Sequence, residues 1–395
     1  MLCLVWDQSC ITRLECDRLV TILQKETCCG KIQWILCIAH DRSENRDIIM
    51  DKLLTIIVPT YNAAAYLDKG LSSFAIKDEA LLARLEVLII NDGSTDDSVK
   101  IAQKYVDQYP QVYRIINKEN GGHGSGINVG AKEAKGKYFK VIDADDWVDA
   151  KGFPTYLSKL QDIDTDVIVT PYQEYDVRNG RTKNLIAKPL AYGRNYDLAE
   201  VMDQWSTCHM DLHFWGITYR TEFYQKLGYE LVEGVFYEDQ EYATVPMSYA
   251  HSVCFLSDMV YIYRVGDVNQ SVFGDTQVKR RSHLEKVLER LLEQEKKQEQ
   301  MPTGGARYWR KKTAMVVTSY YQIMLLKNKD KKMGRQAVSE IAQILEKEAP
   351  DIAMMTRKKK QGFVWFSHMH ISNQSYEFWA PKILGIVRKV RGQRI

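Results

Sequence analysis

From residue 53 onward, short apolar runs alternate with stretches in which apolar side chains return every three or four positions. Residues 54–58 form the first run, and Pro59 and Thr60 close it. A run of that length between turn-forming flanks predicts a buried strand. Residues 63–74 then place Tyr66, Leu67, Leu71 and Phe74 on one helical face. A second strand is predicted over 87–90, closed by Asn91, Asp92, Gly93 and Ser94. A helix follows over 97–109, with Ser94 or Thr95 as the expected cap and acidic residues suited to its first turn. Residues 112–116, 138–142 and 167–170 read as the third, fourth and fifth strands, and a glycine-rich turn over 121–126 leads into a helix over 128–134. This alternation predicts an α/β fold, a mostly parallel sheet with helices on both faces. Such sheets bind ligands outside the carboxyl ends of their strands, so a motif that directly follows a strand carries functional weight.

The rhythm fades after about residue 195, where rings crowd together, among them Trp205, His213, Phe214, Trp215, Phe236 and Tyr237. From about residue 278 the pattern is helical and charged. Three regions are therefore expected: an extension over 1–49, a catalytic-type domain over 50–275 and a C-terminal helical region over 276–395. Cys3, Cys10, Cys16, Cys28, Cys29 and Cys37 fall in the extension, and only Cys208 and Cys254 follow. A disulfide scaffold would spread its cysteines, and no Cys-x-x-Cys pair offers a zinc site. The extension lacks the features of a signal peptide, and its apolar stretch over 32–39 is too short to span a bilayer. The native domain is expected to begin near Met50, leaving 1–49 non-native or disordered; a helical extension is the alternative. A formal charge of +3 supplies no global field for nucleic acid. The chain reads as cytoplasmic.

Asp143, Asp145 and Asp146 crowd three carboxylates just after the fourth strand. Like charges so close need a compensating cation or donor network, and hard oxygen ligands suit Mg²⁺ or Mn²⁺. A solvated turn is the plainer reading. Asp162, Asp164 and Asp166 make a similar pattern, but they precede the fifth strand, at the wrong end of the sheet. Asp92 could accept a hydrogen bond from a base N–H, or simply belong to a turn. The run from Gly121 to Gly126 matches neither a P-loop nor a dinucleotide fingerprint, yet it sets small residues and His123 before a helix start, where backbone N–H groups can meet a diphosphate. Glu238 and Asp239 follow an aromatic stretch, which suits a general base of raised proton affinity or a helix N-terminal acidic pair.

Taken together, these motifs resemble family 2 glycosyltransferases of the GT-A (Rossmann-like) fold. The resemblance rests on Ile57-Val58-Pro59-Thr60-Tyr61-Asn62, Ile90 to Asp96, Asn120 to Gly130, Asp143-Ala144-Asp145-Asp146-Trp147, Tyr237 to Tyr242 and Tyr261 to Ser271, in that order. It covers about residues 53–272. It implies an inverting transfer from a nucleotide-diphosphate sugar, with UDP the expected nucleotide and a glycan or lipid-linked acceptor in cell-surface polysaccharide synthesis. By the resemblance, Pro59, Tyr61 and Asp92 line the nucleobase pocket. Asn120, Gly122, His123 and Asn128 belong to the donor-binding loop, and Asp143 contacts the ribose or a metal-bound water. Asp145, helped by Asp143 and Asp146, holds Mn²⁺ or Mg²⁺. Asp239 is the catalytic base, with Glu238 beside it. The sequence departs from the pattern at Ile127, where the family often carries Arg.

Trp205, Trp215, Phe236 and Tyr237 offer rings to stack on sugar faces, or to pack under a helix. Arg357 to Lys360, with Phe363, Trp365 and Phe366, and the basic amphipathic segment from Lys382 to Arg394 suit peripheral contact with the anionic inner face of a membrane, or a solvated helical cap. Two rival functions are a nucleotidyltransferase, which would want a basic glycine-rich loop after the first strand, and a non-catalytic sugar-binding or scaffold protein that keeps the fold.

Overall fold

The structure, a computed structural model, describes residues 21–28, 31–38 and 52–378, apart from 190, 206–211, 267–273, 370, 372 and 377. The chain divides into two compact units, Met1–Met50 and Asp51–Ile395. In the first, β1 (Thr21–Cys28) and β2 (Lys31–Ile38) form an antiparallel hairpin with Thr21 opposite Ile38. Strands replace the helical alternative for these residues, consistent with the β-branched Thr21, Ile22, Thr27, Ile32, Ile35 and Ile38 on either side of Gly30. The remainder of 1–49 lies outside the described residues.

The second unit is built on an eight-stranded sheet. Its strands are β3 (Leu54–Thr60), β4 (Leu85–Asn91), β5 (Tyr113–Asn117), β6 (Tyr138–Val141), β8 (Val167–Val169), β11 (Asn195–Tyr196), β12 (Ile217–Arg220) and β13 (Val253–Phe255), in the order β11-β13-β8-β12-β6-β3-β4-β5. The run β6-β3-β4-β5 is parallel throughout. The five strands expected from the sequence are all present. β3 reaches two residues past its apolar run because its pairing with β4 continues to Thr60 opposite Asn91. The later strands escaped the periodicity: β12 enters antiparallel between β8 and β6 from within the aromatic-rich stretch. A smaller sheet, β10-β9-β14-β7, joins β7 (Trp147–Val148), β9 (Tyr172–Asp176), β10 (Arg181–Leu185) and β14 (Tyr261–Val265).

Alternate residues of the buried strands feed two cores. Ile56, Val58, Val87 and Ile89 join one face, packed with Leu67, Leu71 and Phe74. Ile57, Leu88 and Ile90 join the other with Ile127, Phe139 and Val141. Ile127 is fully buried there, so its position in the glycine segment serves packing and offers nothing to a ligand.

Helix Ser98–Gln108 begins one turn after Gly93, with Asp97 at the cap position. Neither Ser94 nor Thr95 caps it. Ser94 Oγ instead accepts from Asn62 N, and Asp96 supplies the Ser98 amide with its acceptor. The helix expected over 128–134 starts earlier, at His123, and runs to Glu133. The glycines are its first turn because they stand where neighbours press closest: a Cβ on Gly124 would lie 2.6 Å from Val232 O.

Toward the C-terminus, helices Arg281–Leu292, Gly305–Gln322, Lys331–Glu348 and Pro350–His368 build a third core around Leu288, Leu291, Trp309, Val317 and Tyr320. Val245 of helix Glu238–Ser248 belongs to that core, which ties the helical region to the element carrying Asp239. Among the described residues no helix is long and apolar enough to cross a membrane. The segment from Lys382 to Arg394, Cys208, and residues 267–271 of the tyrosine-arginine segment lie outside the described residues.

Candidate active site

Four loops meet beyond the carboxyl ends of β3, β4, β5 and β6. The loop after β3 is laced to the loop after β4: Asn62 N donates to Ser94 Oγ (3.1 Å), Thr95 N to Asn62 Oδ1 (2.8 Å) and Ala64 N to Asp96 Oδ2 (3.0 Å). This lacing leaves the Tyr61 ring 54% exposed at the strand end. Pro59 is buried, and a Cβ on Gly126 would stand 3.1 Å from its own Cβ.

Asp92 is 3% exposed and is occupied by the glycine loop. Its Oδ1 accepts from Gly121 N (2.9 Å) and Lys118 Nζ (2.6 Å), and its Oδ2 from Gly122 N (2.8 Å). Asn120 Nδ2 donates to Asp92 O (3.0 Å). Asn128 spends its carboxamide on Leu231 N and O, strapping its helix to the segment that leads to Glu238. Of the residues expected around the donor, Tyr61, His123 and Asp143 thus face the cleft, while Pro59, Asp92, Asn120 and Asn128 build its walls.

Gly122 has φ +87°, a conformation that L side chains rarely adopt, and a Cβ added there would lie 3.2 Å from Gly234 N. That turn aims His123 back over the sheet. His123 Nε2 lies 2.9 Å from Asp143 Oδ1 and Nδ1 2.6 Å from Glu238 Oε1. Burial disfavours the ring's charge, but the hydrogen bonds and charges of Asp143 and Glu238 outweigh it and raise its pKa well above the usual histidine value. Each ring nitrogen then donates to a carboxylate, as only an imidazolium can.

The three aspartates after β6 divide. Asp146 is 1% exposed; Tyr261 Oη donates to its Oδ2 (2.6 Å) and Arg264 N to its Oδ1 (2.7 Å). The expected helper in metal binding therefore points into the protein, with both oxygens occupied. Asp145 faces the cleft; Arg264 Nη1 stands 3.8 Å away, and burial together with the charge of Asp143 pushes its pKa up to about 6. Asp143 uses Oδ1 for His123 and leaves Oδ2 without a hydrogen bond among the described residues. No three His, Cys, Asp or Glu side chains among the described residues converge as a metal cage. Two open carboxylates are, however, the usual protein share for Mg²⁺-type ions, which complete their shell with water and substrate phosphates.

Glu238 and Asp239 open helix Glu238–Ser248, as the plainer reading expected, and they also reach the cleft. Tyr237, directly before them, holds φ +76°. Glu238 is 4% exposed and committed to His123. Asp239 takes one bond from Gln240 Nε2 (2.9 Å), while burial and the charge of Glu238 push its pKa up to about 6. Among the candidate stacking rings, Trp205 packs edge-on against Tyr308. Trp215 stacks on Tyr263 with centroids 4.1 Å apart. Tyr263 directly precedes Arg264, whose N–H donates to Asp146, so this ring pair lies beside the aspartates after β6.

Sequence reasoning missed Lys118, although it follows β5 and the strand-end rule points to it. It also missed Lys140, buried under Trp215 O (2.7 Å) and Ile217 O (3.2 Å), with its pKa lowered to about 7 by burial. No local signal marks a lysine inside an apolar strand as the anchor of a distant loop.

The sequence profile described as Glycosyl transferase family 2 matches residues 55–227. Similar proteins include glycosyltransferase GlyA of Streptococcus pneumoniae, 26% identical over 55% of this chain and 31% of its own length. EpsJ of Bacillus subtilis, an uncharacterized glycosyltransferase, is 26% identical over 54% of this chain and 62% of its own length. The chain thus spans less than two thirds of both. The crystal structure of Staphylococcus aureus TarS 1–349 in complex with UDP-GlcNAc shares the fold at a TM-score of 0.56 and 17% identity, over 82% of this chain and 91% of that one.

Proposed function

The chain is a family 2 glycosyltransferase of the GT-A fold, and from that premise we propose that it moves a sugar from a UDP-sugar to a hydroxyl of a glycan or lipid-linked acceptor, with inversion, in cell-surface polysaccharide assembly. One observation carries the reading. The His123 ring spans the cleft and joins the aspartates after β6 to the acidic start of helix Glu238–Ser248, so a donor-side and an acceptor-side carboxylate group share one site. The UDP-GlcNAc complex of TarS supports a UDP-sugar as donor.

Tyr61 stacks on the nucleobase. Asp92 and Asn128 shape the donor loop rather than touch the base, since their polar atoms already serve the protein, and Asn120 commits its amide nitrogen to Asp92 O. Asp145 and Asp143 would hold the divalent cation, and Asp146, bonded to Tyr261 and Arg264, fixes the turn that carries them. When bound, Mn²⁺ or Mg²⁺ supplies Lewis-acid stabilisation of the departing diphosphate. The N-terminus of helix His123–Glu133 adds its partial positive charge. Asp239 takes the acceptor proton as the hydroxyl oxygen attacks the anomeric carbon opposite the leaving group. Glu238 raises the proton affinity of Asp239 and fixes His123. Trp215, with Tyr263 beneath it, offers a face to a sugar ring.

Release of nucleotide diphosphate from a panel of nucleotide-sugars, with and without Mn²⁺, tests the reading. Turnover of one UDP-sugar with Mn²⁺ is expected. Silence across the panel would favour a non-catalytic sugar-binding role, and diphosphate-forming synthesis from a nucleoside triphosphate would favour a nucleotidyltransferase. The same product, examined by NMR, is expected to carry the opposite anomeric configuration to the donor; retention would exclude a single displacement.

Peripheral contact with an anionic membrane fits the outer face of helix Pro350–His368. Met354 (70% exposed) and Trp365 (57%), eleven residues apart, share that face with the exposed Arg357 and Lys358 flanking it, and Met369 (59%) follows the helix end. Vesicles containing phosphatidylglycerol are expected to pull the protein down while phosphatidylcholine vesicles do not, and Lys358→Glu with Trp365→Ser is expected to abolish the difference.

A further inference from the structure

We propose that Arg280 and the Tyr237 hydroxyl form a phosphate-binding subsite beside the base carboxylate. Arg280 lies immediately before helix Arg281–Leu292, and its guanidinium carbon sits 3.4 Å from the centroid of the Phe236 ring. That ring orients the guanidinium plane. The side chain has no carboxylate or carbonyl partner among the described residues, and its Nη1 is buried without an acceptor. Buried donors are nearly always satisfied, and a guanidinium carries five of them in a rigid fork matched to carboxylate and phosphate. The Tyr237 hydroxyl is a second buried group with no hydrogen bond.

The two groups are neighbours of the reacting centre. Phe236, which stacks on Arg280, is followed directly by Tyr237, and Asp239 comes two residues later, so the chain brings guanidinium, hydroxyl and base onto one short segment. The Tyr237 hydroxyl feels the charges of both Arg280 and Asp239. The left-handed backbone at Tyr237, φ +76°, is an uncommon conformation for a bulky residue, and such conformations persist where surrounding structure enforces them. Here two clamps hold the segment: Phe236 N donates to His283 Nδ1 (3.1 Å), and Asn128 grips Leu231. A cation stacked on Phe236 and the hydroxyl of the next residue, both with buried donors lacking acceptors, fit one tetrahedral oxyanion on the segment that leads into Asp239.

Two phosphates can fill that place. One is borne by the acceptor, a unit away from its attacking hydroxyl; the other is the terminal phosphate of the leaving diphosphate. The inference rests on the placement of Asp239 at the reacting centre, and its test reads binding, independent of turnover.

The full chain is titrated calorimetrically at low salt with sn-glycerol 3-phosphate, with glycerol as neutral control, and separately with UDP. The wild-type protein is expected to bind glycerol 3-phosphate and not glycerol. Arg280→Gln is expected to weaken that binding about tenfold, the scale of a lost charge-assisted phosphate contact. Tyr237→Phe is expected to weaken it several-fold, and Arg280→Lys, which keeps the charge but not the fork, to fall between wild type and Arg280→Gln. Repeating the titration with UDP at saturation separates the sources. Binding that survives saturation assigns the subsite to the acceptor. Exclusion by UDP, with UDP itself weakened in Arg280→Gln, assigns it to the diphosphate. Wild-type affinity of Arg280→Gln for both probes overturns the inference, as does failure of the wild-type protein to bind glycerol 3-phosphate and UDP. If UDP alone fails to bind, the sugar-nucleotide reading falls while the glycerol 3-phosphate arm still judges Arg280.

Discussion

Asp239→Asn is expected to reduce sugar transfer by about three orders of magnitude while leaving UDP affinity within about twofold of wild type. The substitution preserves shape and replaces the carboxylate with an amide whose oxygen is too weakly basic to take the acceptor proton. Asp239 does not belong to the Asp143–Asp145 pair that would serve the diphosphate, and Asn keeps its shape, so UDP affinity is expected to change little. Diphosphate release in the presence of acceptor measures the first effect and calorimetry with UDP the second; unchanged turnover would remove the base assignment. The pH profile carries the same assignment. Burial and Glu238 hold the Asp239 carboxyl at about 6, and only its ionised form can act. Wild-type kcat/KM is therefore expected to fall with unit slope below about pH 6. A group whose folded pKa lies above its unfolded value of 3.8 contributes stability that is present below 3.8 and lost as pH rises through 6. At neutral pH the ionised carboxylate thus opposes folding, and Asp239→Asn is expected to melt higher than wild type. A residue that gains stability when inactivated is one retained for chemistry.

Much of this site was legible before any coordinates, and its gaps have physical causes. The five strands could be read because each is a short, buried apolar run, and the strand-end rule then pointed to Asp92 and to Asp143, Asp145 and Asp146. β12 could not be read that way. It is four residues long, sits in an aromatic-rich stretch without alternation, and is fixed by antiparallel pairing to β6 and β8, a tertiary fact. The roles of neighbouring polar residues were equally hidden. Asp143, Asp145 and Asp146 look interchangeable in sequence, yet Tyr261 and Arg264, more than a hundred residues later, turn Asp146 inward and leave the other two toward the cleft. Asp92 fits a base-binding turn by type, and only the amides of Gly121 and Gly122 show where its oxygens go. Motifs report which residue types cluster, whereas which of them face the ligand depends on partners distant along the chain.

His123→Gln is expected to lower transfer by roughly two orders of magnitude and to move the acid limb of the pH profile above 6. The ring's charge is one of the influences that restrain the proton affinity of Asp239, so its removal lets that carboxyl hold its proton to higher pH. Stability should fall as well. Glu238 is 4% exposed, and losing a charge-assisted hydrogen bond to a buried carboxylate costs about 1.5–3 kcal/mol. His123 is 34% exposed, so solvent screening favours the lower end. The folded pKa of His123 is raised well above 6.5, hence its stabilisation is complete below 6.5 and fades as pH rises through the folded value. Wild-type melting temperature should therefore decline on the alkaline side, and His123→Gln should flatten that decline. A double-mutant cycle decides whether charge or shape is responsible. If the imidazolium serves to neutralise Glu238, adding Glu238→Gln to His123→Gln restores most of the lost stability, because the orphaned charge is gone. If the ring merely fills space, the two losses add.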